Sequence, residues 1–514
     1  MFLLLFAVII TASIAAGGQS SSSSAASGVK KFSILNPAYA QAIPPPDIDI
    51  NHNQWADIFK KELPDIEIEW IVVPPDQMLQ RVNIMVGSGD IPDTLPMSMA
   101  QMIQWADMGV IRNINGMYES SYKNIYNFLT EDDLITTRYS GNTYGVMIPA
   151  NRLQNPTTMC IRTDWLENVG LPMPKTVEEV YNVLHAFTFK DPDGNGLNDT
   201  YGFASSINFG NVPQIFCMFG VLPGENFTKI GNQLVPDFIR PEMRDCMAFL
   251  ARLYRDGIYD KDSMVMNANQ LEDKGVRGLI GLWGFASNGI AVRHIPNGQR
   301  NNPNFKAELW VPPAAPDGNI YSPVPRNGGG MRGISARCAH VDAVMKFYNW
   351  MIEQDTSTLP FYTLNADKIY NGTVGVHTVP LGNKFILEMA QNLLSPQAVF
   401  DMWRYGYRTH MGTMQVVPDH LQFEISQERV AQGMIHPFFL QAQQFASKYG
   451  KTNAVAIQGP VYAENMTDIM TFWEETSAGI VTGAKPIAAF DEFVRFFYAN
   501  NGQRIIDEVT ALNR

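Results

Sequence analysis

Apolar and polar positions change period repeatedly along the chain, and each change marks an element. Residues 31–35 (KFSIL) read as a first strand, and Pro44-Pro45-Pro46 breaks the stretch that follows. Trp55, Ile58 and Phe59 recur at helical spacing, which predicts a helix over 53–62. Residues 66–73 (IEIEWIVV) begin with strict alternation and predict a second strand. A helix is expected over 77–86, closed by Gly87-Ser88-Gly89. Strand and helix alternate from the start, which favours an α/β sheet with ligands at the strand ends.

The middle of the chain continues the alternation. Residues 160–162 predict a short strand, 164–169 a helix, and Pro172 and Pro174 a loop. Thr176 with Glu179 three residues on reads as a capping box that leads into Val180 and Leu184. Residues 243–254 are amphipathic and stop at Asp256-Gly257, while 278–283 (GLIGLW) predict a strand. The proline-rich stretch 312–325 suits a crossover between two lobes. Beyond about residue 385 the pattern turns mostly helical, finishing in 490–498 and 504–512. Trp55, Trp165 and Trp350 fall on apolar helix faces and are expected in the core.

The first fourteen residues (MFLLLFAVIITASI) are apolar throughout. A bilayer-spanning helix needs roughly 20 residues, so this length fits the apolar region of a signal peptide instead. Ser13 and Ala15 supply small residues for cleavage before Ala16, and 19–28 (QSSSSSAASG) read as a flexible tether. No Lys or Arg precedes Lys30, so the true start is expected upstream. Export to the cell surface or the exterior follows. The pattern is lipoprotein-like, but Gly17 stands where a lipidated cysteine would fall.

Composition narrows the picture. Hydrophobic residues make up 46%, enough for a sizeable core, and charged residues only 17%, below the usual ~25%. A net charge of −12 without a basic cluster excludes nucleic acid as a partner. Cys160, Cys217, Cys246 and Cys338 show no CxxC spacing and are expected as buried thiols.

The sharpest motif is 191–201 (DPDGNGLNDTY). Asp191, Asp193 and Asn195 with Gly196 at the sixth position match the first half of a calcium loop. Leu197 could add its carbonyl and Asp199 its carboxylate, so a structural Ca²⁺ is expected here. The twelfth position is Gly202, where a complete EF-hand has a bidentate Glu.

Ordered blocks along nearly the whole chain resemble the extracellular solute-binding proteins of bacterial ABC importers. They are most similar to the oligosaccharide-binding, Gram-positive lipoprotein type with a calcium loop. Ser88-Gly89-Asp90-Ile91-Pro92-Asp93 followed by Gly109-Val110-Ile111 is one block. Asn142-Thr143-Tyr144-Gly145-Val146 with Pro149 is another. Arg162-Thr163-Asp164-Trp165-Leu166, then Gly170-Leu171 and Pro174-Lys175-Thr176, is a third. The calcium-like loop closed by Tyr201-Gly202, the run Leu253–Gly257, and residues 502–509 complete the series.

The resemblance implies a two-lobed periplasmic-binding-protein-like fold of type II, α/β, with hinge crossovers and a largely helical C-terminal half. Residues 1–28 would be signal peptide and tether. Lobe one would hold 29–150 plus part of 323–355, and lobe two 151–312 plus much of 356–514. A monomer that captures an oligosaccharide and delivers it to membrane permease subunits is implied, with no catalysis. The resemblance places Met97, Ser98, Gln101, Asn208, Phe209, Trp283 and Phe285 in the cleft. Tyr39, Trp403 and Arg404 join them on local sequence, because sugar sites need aromatic platforms beside hydrogen-bonding groups.

Two rival readings fit parts of the same sequence. A binding protein of the same fold for a peptide or another small polar solute fits the same blocks. A secreted glycoside hydrolase would need two carboxylates about 5 to 10 Å apart. Asp65/Glu67/Glu69, Asp132/Asp133, Glu474/Glu475 and Asp491/Glu492 offer acids, yet sequence neighbours of this kind usually form a solvated face.

Overall fold

A computed structural model of the chain describes residues 28–37, 51–52, 60, 63–73, 77–121, 123, 126, 129–148, 153, 155–326, 330–351, 426–427, 430–431, 433 and 435–513. The signal segment, the helix expected over 53–62 (Lys60 apart), Tyr39, Trp403 and Arg404 lie outside these residues.

In chain order the strands that frame the site are β1 (Lys30–Pro37), β2 (Ile66–Val73), β3 (Thr94–Pro96) and β4 (Gly145–Ile148). There follow β5 (Thr157–Arg162), β6 (Tyr201–Phe203), β7 (Ile280–Ala286), β8 (Ala307–Leu309), β9 (Ser322–Pro323), β10 (Gly330–Ile334) and β11 (Gly450–Lys451). One sheet has the order β2-β1-β3-β10-β4, and a second has β8-β5-β7-β6. β1 and β2 run parallel in register from Lys30↔Ile66 to Pro37↔Val73. The alternation in the first half of β2 does what it predicts: Ile66 and Trp70 are buried while Glu67 and Glu69 face out.

The first sheet is backed by α1 (Met78–Ser88) and α2 (Met99–Asp107). α1 ends on Gly89 at φ +76°, the left-handed cap that glycine adopts without a Cβ penalty. Leu35, Val82, Met85, Leu95, Met102 and Trp105 form its core.

The second sheet carries α3 (Thr163–Val169), α4 (Val177–Phe189), α5 (Pro213–Cys217), α6 (Pro241–Arg255) and α7 (Ala268–Val276). Thr176 caps α4 by accepting from the Glu179 N–H at 3.2 Å, but the expected reciprocal bond is absent. Glu179 Oε2 instead accepts from Lys175 N, one residue earlier, at 2.8 Å. β5 ends in Arg162, only 1% exposed, whose Nε and Nη2 donate to Asp164 at 2.8 and 2.6 Å. Its guanidinium carbon lies 4.5 Å from the Trp165 ring centroid and 4.2 Å from that of Phe305, so the buried charge is paired and stacked. All four cysteines are free and buried, as their spacing suggested.

The C-terminal helices α8 (Phe438–Tyr449), α9 (Pro460–Thr482), α10 (Ala489–Ala499) and α11 (Gly502–Leu512) pack mainly on the second sheet's side. Phe238, Trp473, Phe493 and Phe497 interlock there. Two passes of the chain cross side by side where β9 and β11 pair in parallel, Ser322↔Gly450 and Pro323↔Lys451. Arg326 straddles this crossing, donating to the Asn453 carbonyl at 3.1 Å and to Asp132 Oδ1 at 3.3 Å. Gln104 on α2 reaches the start of α9, donating to the Ala463 carbonyl at 2.7 Å.

Candidate functional site

β6 and β7 are parallel, so their C-terminal ends share one edge of the second sheet. The turn after β6 is strained. Asn208 and Phe209 both sit at φ +55° and Asn211 at +66°, a region unusual for a bulky aromatic. Ser206 and Gly210 exchange backbone hydrogen bonds across it, and Asn211 Nδ2 donates to Ser206 Oγ at 3.0 Å. Gly284 of β7 permits the turn to settle, because a Cβ there would meet the Asn211 carbonyl at 1.8 Å. The strain presents exposed Asn208 and half-buried Phe209 to a recess of about 60 Å³, with Trp473, Glu474 and Ser477 on its far wall.

Phe285, half-buried, closes β7 at the same edge. The Arg293 guanidinium carbon lies 5.5 Å from its ring centroid. The helical run that follows, 287–301, begins against Asn155, whose Oδ1 accepts from Asn288 N at 2.8 Å and from the Ser287 hydroxyl at 3.2 Å. Neutral amides and an aromatic ring thus line this edge.

Trp283, expected beside Phe285 in the cleft, is fully buried. Its Nε1–H donates to His294 Nδ1 at 3.1 Å, and Phe305 packs edge-on against it. The helical run 287–301 covers it, so it offers no face to a ligand. Met97 is likewise in the first sheet's core, with its N–H on the Met331 carbonyl at 3.0 Å. Ser98 and Gln101 cap α2 reciprocally. Ser98 Oγ accepts from Gln101 N at 3.2 Å, and Gln101 Oε1 from Ser98 N at 2.8 Å. Ser98 is exposed and Gln101 half-exposed, so their outer faces remain available.

A polar cluster supports Phe285 from behind. Because an indole N–H only donates, His294 accepts through Nδ1 and carries its proton on Nε2, 3.4 Å from Glu272 Oε2. Burial pushes the His294 pKa down against the pull of Glu272. Burial alone would raise Glu272, but His294 and Arg293 outweigh it and hold its carboxyl down to about 2. Both shifts are depressions, so both contributions are complete at neutral pH and are lost on acidification. The His294 part declines as pH falls below about 6.5, and the Glu272 part from about 4.5 towards 2. Melting scans between pH 7 and 2 should show a falling midpoint, and Glu272→Gln should flatten the part of the acid limb below about pH 4.5.

The loop 191–199 brings three carboxylates around one amide. Asn195 Nδ2 donates to Asp193 at 2.9 Å and to Asp199 at 3.4 Å, while Asp191 accepts from Asn195 N and Gly196 N at 3.1 and 3.0 Å. Burial first, and then Asp191 and Asp199, push the Asp193 carboxyl up. Among the described residues no three acidic, imidazole or thiol side chains close to metal-holding distance. Thr200, a possible extra ligand, is buried and donates to the Phe187 carbonyl at 2.8 Å. Gly202 cannot be the missing glutamate, since a Cβ there would fall 2.1 Å from the Leu184 carbonyl.

The acids that might have served hydrolysis are largely engaged elsewhere. Asp65 pairs with Lys346 at 2.8 Å, Glu67 and Glu69 with Lys31, and Asp132 with Arg326. Asp133 caps the helix Glu131–Thr136, and Asp491 lies 3.6 Å from Arg244.

The sequence profile described as bacterial extracellular solute-binding protein matches residues 49–356, more than half of the chain. The chain belongs to that family. Lipoprotein LipO of Bacillus subtilis strain 168 is 34% identical over 227 residues, 42% of this solute-binding chain and 43% of LipO. The polygalacturonan/rhamnogalacturonan-binding protein YtcQ of the same strain is 25% identical over 317 residues, 59% and 60% of the two chains. The chain thus spans about half the length of these curated relatives. Among solved structures, an EF-hand mutant of the Streptococcus pneumoniae substrate-binding protein FusA in complex with fructo-nystose superposes with a TM-score of 0.65. That match has 16% identity and covers 94% and 99% of the two chains. The fold is therefore the type II, two-lobed arrangement of solute-binding proteins. Among the described residues no helix is long and apolar enough to cross a membrane.

Parts of this arrangement carry no sequence signal: Asn155 and Arg326 belong to no motif, and the left-handed turn at Asn208–Asn211 has no Gly at the strained positions to announce it.

Proposed function

We propose that this solute-binding protein captures an oligosaccharide between its lobes, outside the cell, and hands it to the permease subunits of an ABC importer. It acts as a monomer and breaks no bond in the guest. Lobe one comprises 29–150 with part of 323–355, and lobe two 151–312 with much of 356–514. The observation that carries the reading is the edge formed by Asn208, Phe209 and Phe285. Aromatic rings beside neutral amides suit the C–H faces and hydroxyls of a sugar, and the strain at Phe209 is of a kind concentrated at ligand sites. Ser98 and Gln101 answer from lobe one, and Tyr39, Trp403 and Arg404 complete the set. YtcQ and FusA, named with polygalacturonan and fructo-nystose, support the substrate class.

A panel of fructo-oligosaccharides, oligogalacturonates and xylo-oligosaccharides should raise the melting temperature of the purified chain for at least one member. Phe285→Ala should abolish that rise, with the unliganded melt lowered but the fold retained by circular dichroism. A flat response across the panel, or release of reducing ends, would overturn the reading.

Asp191, Asp193, Asn195, the Leu197 carbonyl and Asp199 would hold Ca²⁺ in a structural role. The donor set fits, since a hard cation relieves the mutual repulsion of the three carboxylates. Ca²⁺ at a hundredfold excess over its Kd should stabilise the fold by about 2.7 kcal/mol. Exhaustive chelation should lower the melting temperature correspondingly, and an unchanged melt would defeat the assignment.

A further inference from the structure

Among the described residues, the buried or nearly buried arginines are paired with acids, with one exception. Arg162 has Asp164, and Arg240 has Asp237 at 2.8 Å. Arg332 on β10 is 5% exposed, and among the described residues no carboxylate faces it. Its Nη2 donates to the Leu35 carbonyl of β1, and its buried Nε–H has no partner among the described residues. Tyr348, whose hydroxyl shares a 2.9 Å hydrogen bond with Thr94 Oγ1, is the polar group beside the guanidinium. Burial lowers the proton affinity of Arg332, yet a guanidinium does not give up its proton in a protein. An uncompensated buried charge costs several kcal/mol and is retained only where something answers it.

Its place in the sheet indicates what answers. β1 pairs with β2 along its whole length but with β3 only at Ile34↔Thr94, so β1 and β3 part beyond that point. β2 lies on one flank of β1 and β3 on the other. The crevice at the carboxyl ends of β1 and β3 is therefore the switch point where open α/β sheets take their ligands. The Arg332 guanidinium, resting on the Leu35 carbonyl one residue beyond Ile34, lies buried where the two strands part.

We propose that Arg332 is the lobe-one contact for a carboxylate on the ligand, so that the captured guest is an acidic, uronate-containing oligosaccharide. This rests on the sugar-binding reading above and narrows it. The guanidinium fork matches a carboxylate in plane, with Nε–H as one of its two donors.

The test is calorimetric titration of the full chain with trigalacturonate, with its fully methyl-esterified form and with neutral kestose. The free acid should bind at least tenfold more tightly than the ester, a comparison that needs no variant. Arg332→Gln should weaken the free acid by roughly ten- to hundredfold and leave the ester within about threefold. Arg332→Lys, which keeps the charge and loses the fork, should fall between. Equal affinity for acid and ester, or binding of kestose alone, overturns this proposal and leaves the sugar-binding reading standing. Failure of all three sugars, and of the wider panel, overturns both.

Discussion

Trp283→Ala is expected to destabilise the protein by about 3–5 kcal/mol, the range for emptying a buried Trp site. The side chain is fully enclosed, and Phe305, Gly275 and His294 are its neighbours. A Cβ on Gly275 would already meet the indole at 2.8 Å, so the pocket is shaped to the ring. Truncation leaves a cavity and strips His294 Nδ1 of its donor, which adds the cost of an unsatisfied buried acceptor. Urea titration followed by circular dichroism measures the loss. Ligand affinity of the fraction that stays folded should be close to wild type, because Trp283 shows no face to the cleft. A stable variant with abolished sugar binding would contradict the core assignment.

Asp164→Ala should be comparably severe, also about 3–5 kcal/mol, because it leaves a buried guanidinium without its counter-charge. Arg162 cannot swing out to water. It is stacked between Trp165 and Phe305 at the end of β5, and a Cβ on Gly278 would lie 3.3 Å from its Nη1. A double variant that also replaces Arg162 by Met should recover part of the loss, since an apolar pair of similar volume does not strand a charge. No recovery in the double variant would show that stacking, not charge, carries the effect.

The fold was largely legible because its signals are periodic. β2 occupies the expected residues 66–73, and α1 stops within two residues of the expected position at a glycine cap. Trp283 was misplaced for a reason that period cannot cure. Trp283 and Phe285 are two apart on one strand and therefore share a face. What separates them is depth: the helical run 287–301 covers the first and leaves the second at the edge. Met97 fell to the same limit, being one residue from the exposed cap that Ser98 forms. The loop at 191–199 was legible as a tight turn of clustered carboxylates, and its twelfth position has a packing cause, the carbonyl of Leu184 beneath Gly202. The turn at Asn208–Asn211 was not, because what holds it is contact with Gly284, some seventy positions away.

The paired crossing of β9 and β11 sets how the lobes can move. Two chain passes joined side by side by a short parallel ladder cannot twist independently, and Arg326 ties the same spot to both flanks. With the lobes divided as proposed above, relative travel would be reduced to a single bending coordinate, like a door hung on two pins instead of a ball on a string. Fewer orientations have to be given up when the guest is enclosed, so a larger share of the contact energy is left to discriminate one guest from another.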